Sequence, residues 1–313
     1  MATSIALAFP GQGSQSVGML AALAASHSIV RQTFEEAGEA LGVNLWKMSQ
    51  EGPAEHLNQT RNTQPAMLCA GVAVWRVIRT AVVGKVSVAA GHSLGEYSAL
   101  VAAEALPLDA AARLVARRAE LMQAAVPEGV GAMAALLGLD DEAVKHVCGK
   151  AAADQVVEAV NFNAPGQVVV AGHAEAVKRA ADLAKQAGAK RALLLDVSVP
   201  SHCALMRPAA ERLRPAVADV PFAKPVFPVL HNVSVAETDD PDEIRTLLLE
   251  QLYRPVRWVE TVEGFAQRGV DLVIEAGPGR VLTGLGRRIN RSLPTMPVFD
   301  PATLNSLMEA IDA

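Results

Sequence analysis

The stretch Val86–Leu106, VSVAAGHSLGEYSALVAAEAL, determines which class of fold this chain can adopt. It begins with small and β-branched apolar residues, passes through the turn Gly91–Gly95, and ends in an apolar segment of helix-forming residues. A short apolar run of this kind is typical of a strand that is buried on both faces of a parallel sheet. The stretch therefore predicts a buried strand that leads directly into a helix, which is the repeating unit of an α/β protein.

The turn itself, GHSLG, matches the G-x-S-x-G pattern of a nucleophile elbow, with Ser93 at its centre. In such an elbow the serine occupies a strained corner between strand and helix, and the first amides of the helix point at the reacting oxygen. The bare pattern arises by chance in roughly one chain in ten at ordinary frequencies of Gly and Ser. The strand before it and the helix after it supply the context that the motif requires. We therefore predict that Ser93 is a nucleophile rather than a helix-capping serine.

The pattern of predicted elements changes near Gly129 and changes back near Pro200. Before Gly129 and after Pro200, the predicted buried strands SIALAF, PVFPVL and DLVIEAG alternate with helical segments, which include a polar helix near Glu51. Between Gly129 and Pro200 the predicted order is βαββαβ, which is the ferredoxin-like unit. We therefore expect a discontinuous large subdomain, residues 1–128 and 199–313, interrupted by a small ferredoxin-like subdomain, residues 129–198.

A serine nucleophile needs a base, and seven histidines are available. His92 adjoins the serine and is expected to point away from it, and four others lie in polar, helical or hairpin segments, which leaves His202 and His231. His202 lies in VPSHCALM, directly after the strand that returns the chain from the insertion. Loops in this position carry the catalytic groups of many α/β proteins. We select His202, although from position alone a buried structural histidine explains the pattern nearly as well.

A charged residue interrupts the apolar stripe of the predicted helix Leu108–Ala125. The stripe includes Leu114 and Leu121, and Arg118 falls within it, whereas Arg117 lies on the polar face. An inward-facing guanidinium is costly unless an anion pairs with it. That anion is either an internal Asp or Glu or the carboxylate of a substrate. A substrate carboxylate would make the protein select acyl groups that carry a free acid.

The stretch Phe9–Met19, FPGQGSQSVGM, is a glycine-rich turn after a short apolar run and therefore has the order of a phosphate-binding loop. Its spacing does not fit. A dinucleotide fingerprint would need a third glycine at Ser16, and a P-loop needs a lysine, but the first lysine of the chain is Lys47. The backbone amides of this loop must have another role.

Composition argues against several classes of protein. A net charge of −5 and the lack of a basic stripe with interleaved aromatics argue against a nucleic-acid partner. The three cysteines, Cys69, Cys148 and Cys203, are far apart and form no CxxC pair, so we expect buried thiols and no metal site. The apolar run of a signal peptide is excluded by Pro10, and the apolar helix after the elbow is broken by Glu104. We expect a soluble cytoplasmic protein that does not act at a membrane.

The segments FPGQGSQ, GHSLGEYSAL, VPSHCALM, QLYRPVRW and EAGPG, together with the helix of Arg118, resemble one family, malonyl-CoA:acyl carrier protein transacylase. The resemblance runs from about Ile5 to the C-terminal helix, and the motifs occur in the order of the family. It implies an α/β-hydrolase-like core with a parallel sheet and an inserted ferredoxin-like subdomain. The pattern of elements predicts the same organisation.

The resemblance implies a ping-pong acyl transfer. Ser93 would take the malonyl group from malonyl-CoA, His202 would act as general base and then as general acid, and Arg118 would bind the free malonyl carboxylate. Coenzyme A would leave, and the phosphopantetheine thiol of acyl carrier protein would attack the acyl-serine. No cofactor and no metal would be required.

The resemblance also implies supporting roles for four residues. The backbone N–H groups of Gln12 and Leu94 would form the oxyanion hole, which gives the opening loop its role. The main-chain carbonyl of Gln251 would orient the imidazole in place of the acid of a triad. Asn161 would line the site from the end of a strand in the insertion.

Three alternatives remain open from the sequence. A serine esterase or thioesterase would share Ser93 and His202 but would use water as the final acceptor. A nucleotide-binding module would depend on the opening stretch alone, and a silent scaffold would leave the nucleophile, base and arginine without a role. A free-standing chain favours fatty-acid biosynthesis over a polyketide pathway.

Overall fold

The computed structural model describes residues 3–197 and 199–312 of the chain. The elements of the first part are β1 (Ile5–Phe9), α1 (Ala21–Ser26), α2 (Ser28–Leu41), α3 (Leu45–Glu51), α4 (Ala54–Leu57), α5 (Thr60–Val82), β2 (Val86–Gly91), α6 (Gly95–Ala102) and α7 (Leu108–Ala125). The middle part contains β3 (Gly131–Leu137), α8 (Asp141–Ala152), β4 (Val157–Ala164), β5 (Gln167–His173), α9 (Ala174–Gln186) and β6 (Arg191–Leu194). The last part contains α10 (Arg207–Ala218), β7 (Val229–Leu230), α11 (Pro241–Glu250), α12 (Trp258–Gln267), β8 (Leu272–Ala276), α13 (Val281–Ile289), β9 (Thr295–Val298) and α14 (Pro301–Asp312).

The strands of the described residues form two sheets. The first has the order β7-β2-β1-β8-β9, and each of its neighbouring pairs is parallel. The second has the order β4-β5-β3-β6, and each of its pairs is antiparallel. The predicted class is confirmed at this level: an α/β protein with a parallel sheet and a separate antiparallel sheet. The outer limits of the predicted subdomains, residues 1, 198 and 313, lie outside the described residues.

Three elements differ from the prediction, and in each case a proline accounts for the difference. The strand predicted over PVFPVL is only the two-residue β7, because Pro228 has no N–H to donate to a neighbouring strand. The strand β9 escaped prediction because it contains Pro297, which is tolerated at the edge of a sheet. The single helix predicted near Glu51 is the pair α3 and α4, separated at Pro53.

One long apolar helix lies in the core. Within the described ranges, one segment, Thr60–Lys85, is long and apolar enough to cross a membrane, and 67% of its apolar window is buried inside the protein. It contains α5, which packs against α2 and α7. Its hydrophobicity is therefore explained by burial against other helices.

The ends of β1 and β2 meet the start of α6 at backbone contact distance. A Cβ atom at Gly91 would overlap the main chain of Gly95, and a Cβ atom at Gly95 would overlap the carbonyl oxygen of Phe9. Gly11 lies against the carbonyl of His92 in the same way. Only glycine fits these positions, and the close packing brings the loop after β1 to the serine of the elbow.

The effect of this packing on stability can be measured by substitution. We expect Gly95→Ala to lower the free energy of unfolding by about 2–4 kcal/mol, because the added methyl group meets rigid backbone. Gly284→Ala is a matched control in α13, where an added Cβ meets nothing within 4 Å. It should raise stability by about 0.5–1 kcal/mol, since alanine is the better helix former. Urea unfolding measures both, and equal stability of the two variants would contradict the steric account.

Candidate active site

Ser93 lies in the corner between β2 and α6 with a left-handed backbone, φ 52°. This region is unfavourable for a residue other than glycine and has to be held by its surroundings. The side chain of Asn232 supplies the hold, because its Oδ1 accepts from the Ser93 N–H at 2.7 Å and its Nδ2 donates to the Gly91 carbonyl at 2.6 Å. A single buried amide thus ties both sides of the elbow.

His202 contacts the serine directly. Its Nε2 is 2.8 Å from the Ser93 Oγ, and its Nδ1 is 2.7 Å from the main-chain oxygen of Gln251. Because a carbonyl oxygen can only accept, Nδ1 carries the ring proton and Nε2 is free to accept the proton of the serine. The arrangement has the reach and the tautomer of a general base.

The surroundings of His202 keep its ring neutral. Burial of the imidazole is the main cause, and the positive charge of Arg118 adds to it; together they lower the pKa of His202 to about 3. No carboxylate contacts the ring in the described part of the chain, and its Nδ1 partner, the Gln251 carbonyl, is neutral. The ring is therefore unprotonated at neutral pH.

The guanidinium of Arg118 is 1% exposed, as the stripe pattern predicts. Its Nη1 donates to the side-chain oxygen of Gln64 at 2.8 Å, and its Nη2 donates to the side-chain oxygen of Gln251 at 3.1 Å. Burial lowers the pKa of this group. Both hydrogen-bond partners are neutral amides, so the internal ion pair that the sequence allowed is not formed among the described residues. Its Nε has no hydrogen-bond partner in the same set of residues.

One cavity of about 200 Å³ brings together six of the seven predicted residues. Its walls include Gln12, Ser93, Leu94, Arg118, Asn161 and His202. The seventh, Gln251, lies behind the wall and contacts the arginine and the imidazole. Met133 and Val169 of the antiparallel sheet complete the cavity, which therefore lies between the two sheets.

The antiparallel sheet is attached to the main chain that follows Gln251. The N–H of Val256 donates to Val160 at 2.8 Å, and the N–H of Phe162 donates to Val256 at 3.0 Å. Asn161 lies between these two bonds and is 6% exposed. This pairing fixes the end of β4 against the cavity.

A larger cavity, of about 570 Å³, lies elsewhere and is lined by residues of mixed charge that include Lys145, Glu158 and Arg257. Arg257 is paired with Glu260, and Lys145 with Glu142. The predicted nucleophile, base and arginine all lie at the smaller cavity, which is therefore the candidate active site.

Sequence reasoning missed three residues that support the site: Gln64, Glu96 and Asn232. As described above, Gln64 accepts a hydrogen bond from Arg118, and the side chain of Asn232 holds the elbow. Glu96 is fully buried in α6, where its carboxylate accepts from His231 at 2.7 Å and from the main-chain N–H of Asn232 at 3.0 Å. The available signal was a lone carboxylate in an otherwise apolar helix. His231, the rejected base, is a partner of this carboxylate and not of the serine.

The cysteines contribute no ligand cluster. All three are buried free thiols, and burial raises the pKa of Cys148 and of Cys203 to about 12. Within residues 3–197 and 199–312, the structure contains no group of three or more His, Cys, Asp or Glu residues that could hold a metal ion.

This chain is similar to known proteins over nearly its whole length. A family model described as acyl transferase domain matches residues 7–302. The malonyl CoA-acyl carrier protein transacylase of Salmonella typhimurium is 53% identical over 306 residues, which cover 98% of this chain and 99% of that protein. An acyl carrier protein S-malonyltransferase from Vibrio cholerae has a crystal structure that matches with a TM-score of 0.95 at 54% identity, covering 97% of this chain and all of that one. A malonyl-transacylase in complex with its type II PKS acyl-carrier protein matches with a TM-score of 0.96 at 52% identity, covering 98% and 100%.

The low pKa of His202 predicts the pH dependence of Ser93 acylation. A free histidine would lose its base form below about pH 6.5. Because the neutral form is the base, a lowered pKa moves the loss of activity to lower pH. We expect the second-order rate of acylation by an activated ester to stay flat from pH 8 to about pH 5. A fall in the rate with an apparent pKa near 6.5 would contradict the assignment.

Proposed function

Because this chain belongs to the acyl transferase family, we propose that it moves a malonyl group from coenzyme A to the phosphopantetheine thiol of acyl carrier protein. The family predicted from the sequence motifs is confirmed. The activity is that of the malonyl CoA-acyl carrier protein transacylases, and it serves fatty-acid biosynthesis. The observation that carries the proposal is the buried Arg118 in the cavity where Ser93 contacts His202. Among the described residues, its hydrogen-bond partners are two neutral amides.

In the first half-reaction, His202 Nε2 takes the proton of Ser93 while the serine oxygen attacks the thioester carbonyl of malonyl-CoA. The tetrahedral oxyanion is held by the backbone N–H groups of Gln12 and Leu94, which both belong to residues of the cavity wall. The intermediate collapses, the carbon–sulfur bond breaks, and the imidazolium returns its proton to the departing coenzyme A thiolate. The product is malonyl-Ser93.

In the second half-reaction, the phosphopantetheine thiol of the carrier protein gives its proton to His202, and its sulfur attacks the carbonyl carbon of malonyl-Ser93. The ester carbon–oxygen bond then breaks, the imidazolium returns the proton to the Ser93 oxygen, and malonyl leaves as the thioester of the carrier protein. The main-chain oxygen of Gln251 accepts a hydrogen bond from the Nδ1 of His202 and keeps the ring in the tautomer that both steps need. The chemistry requires protein groups alone, without metal or cofactor. Losing one oxyanion donor typically costs a factor of about 10² to 10³ in turnover.

Arg118 binds the free carboxylate of the malonyl group. Its guanidinium can present two N–H groups to two carboxylate oxygens, and a charge-assisted pair of this kind is strong in a site that excludes water. Asn161 lines the site beside it, which its position in the cavity wall supports. An acetyl group has no carboxylate and would leave the charge of Arg118 unpaired.

We also propose the finer organisation of the fold. Residues 129–198 form a ferredoxin-like subdomain inserted into an α/β-hydrolase-like core of residues 1–128 and 199–313. The βαββαβ order and the strand order β4-β5-β3-β6 support this assignment. The three buried free thiols fit a reducing compartment, and we place the protein in the cytoplasm.

Arg118 should determine the preference among acyl groups. We expect Arg118→Ala to lower kcat/KM for malonyl-CoA by about a hundredfold or more and that for acetyl-CoA by less than about fivefold. Arg117→Ala is the matched control, because the neighbouring Arg117 is exposed and pairs with Glu120. It should change neither value. Equal losses for malonyl and acetyl transfer in Arg118→Ala would contradict the role of the carboxylate.

Transfer and hydrolysis can be separated on the acyl-enzyme. After stoichiometric malonylation, we expect the enzyme to deliver malonyl to a holo carrier protein at least about a hundredfold faster than it releases free malonate. The ratio is measured by quench-flow with chromatographic detection of both products, and apo carrier protein without the thiol is the control. Release of malonate faster than transfer would identify an esterase or thioesterase.

A further inference from the structure

Glu96 is a buried carboxylate that the proposed reaction does not use. It lies in the first turn of α6, three residues after Ser93, and its side chain accepts three hydrogen bonds. The third bond comes from Gln251, whose Nε2 is 2.7 Å from the Glu96 Oε2. Glu96, His231 and Gln251 are all fully buried, so water does not compete for these bonds.

The side-chain amide of Gln251 joins three parts of the site. Its Nε2 donates to Glu96 and also to the Ser93 carbonyl at 3.1 Å, and its Oε1 accepts from the Arg118 Nη2 at 3.1 Å. Both hydrogens of the amide and its oxygen are therefore engaged. The main-chain oxygen of Gln251 accepts a hydrogen bond from the Nδ1 of His202.

An amide can be rotated by half a turn with little change of shape, but its two ends have opposite polarity. In the reversed orientation, the Gln251 amino group would face the guanidinium of Arg118, and two donors would meet. The Gln251 oxygen would face the carboxylate of Glu96, and two acceptors would meet. The carboxylate thus disfavours the orientation in which Arg118 loses one of its two amide partners.

We propose that Glu96 is a positioning residue that fixes the side-chain amide of Gln251, and through it the guanidinium of Arg118, so that the site prefers an acyl group with a free carboxylate. This inference rests on the proposed malonyl transfer. Glu96 touches neither substrate nor reacting atoms in this account. What the contact with Gln251 needs is an acceptor oxygen at the reach of a glutamate, and a negative charge is not required.

Glu96 also contacts the elbow through Asn232, and loss of this contact would affect activity in a different way. The main-chain N–H of Asn232 donates to the same Glu96 Oε2, and the Asn232 side chain holds Ser93 and Gly91. Disturbance of that contact would slow the acylation of Ser93 by every acyl donor equally. Disturbance of the contact with Gln251 would slow the transfer of malonyl more than that of acetyl, because only malonyl meets Arg118.

Two variants separate the acceptor from the charge. Glu96→Gln keeps the length and one acceptor oxygen for Gln251 and Asn232, and its amino group can face the Nδ1 of His231 in the other tautomer of that ring. Glu96→Asp keeps the charge but withdraws the oxygens by one methylene. We expect Glu96→Gln to keep kcat/KM for malonyl-CoA and acetyl-CoA within about threefold of the wild type. We expect Glu96→Asp to lower the malonyl value about ten- to fiftyfold, mainly through KM, and the acetyl value less than about threefold.

A double substitution tests whether Glu96 acts through Arg118. In an Arg118→Ala background, Glu96→Asp should leave the ratio of malonyl to acetyl transfer unchanged, since the group through which it acts is gone. Thermal unfolding of every variant reports folding. If Glu96→Asp does not fold, the ratio of malonyl to acetyl transfer in Glu96→Gln still decides, because the proposal requires that ratio to be unchanged. Equal losses for both donors in Glu96→Asp, or a loss of the ratio in Glu96→Gln, would overturn the proposal. Failure of the wild type to form malonyl-Ser93 would instead overturn the proposed function.

Discussion

The burial of one guanidinium constrains the rest of this site. Arg118 lies 1% exposed beside a serine and a histidine, and its direct hydrogen bonds go to two neutral amides. Burying a charge in this way is costly, and arginine cannot readily lose its proton to avoid the cost. Among the described residues, no carboxylate is hydrogen-bonded to this guanidinium, and this supports the proposed role of Arg118 in binding an acyl group with a free carboxylate. The amides of Gln64 and Gln251 hold the guanidinium in place without neutralising it.

The same constraint explains why the histidine lacks an acid. A carboxylate on the Nδ1 of His202 would raise the pKa of the ring and would place an anion near Arg118, whose hydrogen-bond partners are neutral amides. The main-chain oxygen of Gln251 fixes the tautomer without either effect. The buried carboxylate of Glu96 bonds instead to the Gln251 side chain, one residue removed from the imidazole. In this site a neutral carbonyl orients the imidazole of His202, and that contact does not neutralise the charge of Arg118.

The parts of this arrangement that local patterns determine could be predicted from the sequence. The glycines at 91 and 95 and the apolar runs around them indicate an elbow, and the helical period places Arg118 on the buried face. The supporting residues could not be found in this way, because their roles depend on contacts distant in the chain. Glu96 meets His231 across 135 positions, and Asn232 meets Ser93 across 139. A lone carboxylate in an apolar helix indicates an internal partner but does not say which. The short extent of β7 and the presence of β9 could not be predicted for another reason, since the pairing of these strands is decided by their neighbours in the sheet.

The most direct test of the account is to identify the atom that carries the acyl group. The protein is incubated with malonyl-CoA, quenched in acid and digested, and the malonylated peptide is located by tandem mass spectrometry; a second sample receives holo acyl carrier protein before the quench. We expect one malonyl group per chain, on Ser93, that disappears from the peptide and is found on the carrier thiol. A malonyl group on another residue, or one on Ser93 that the carrier thiol does not remove, would contradict it.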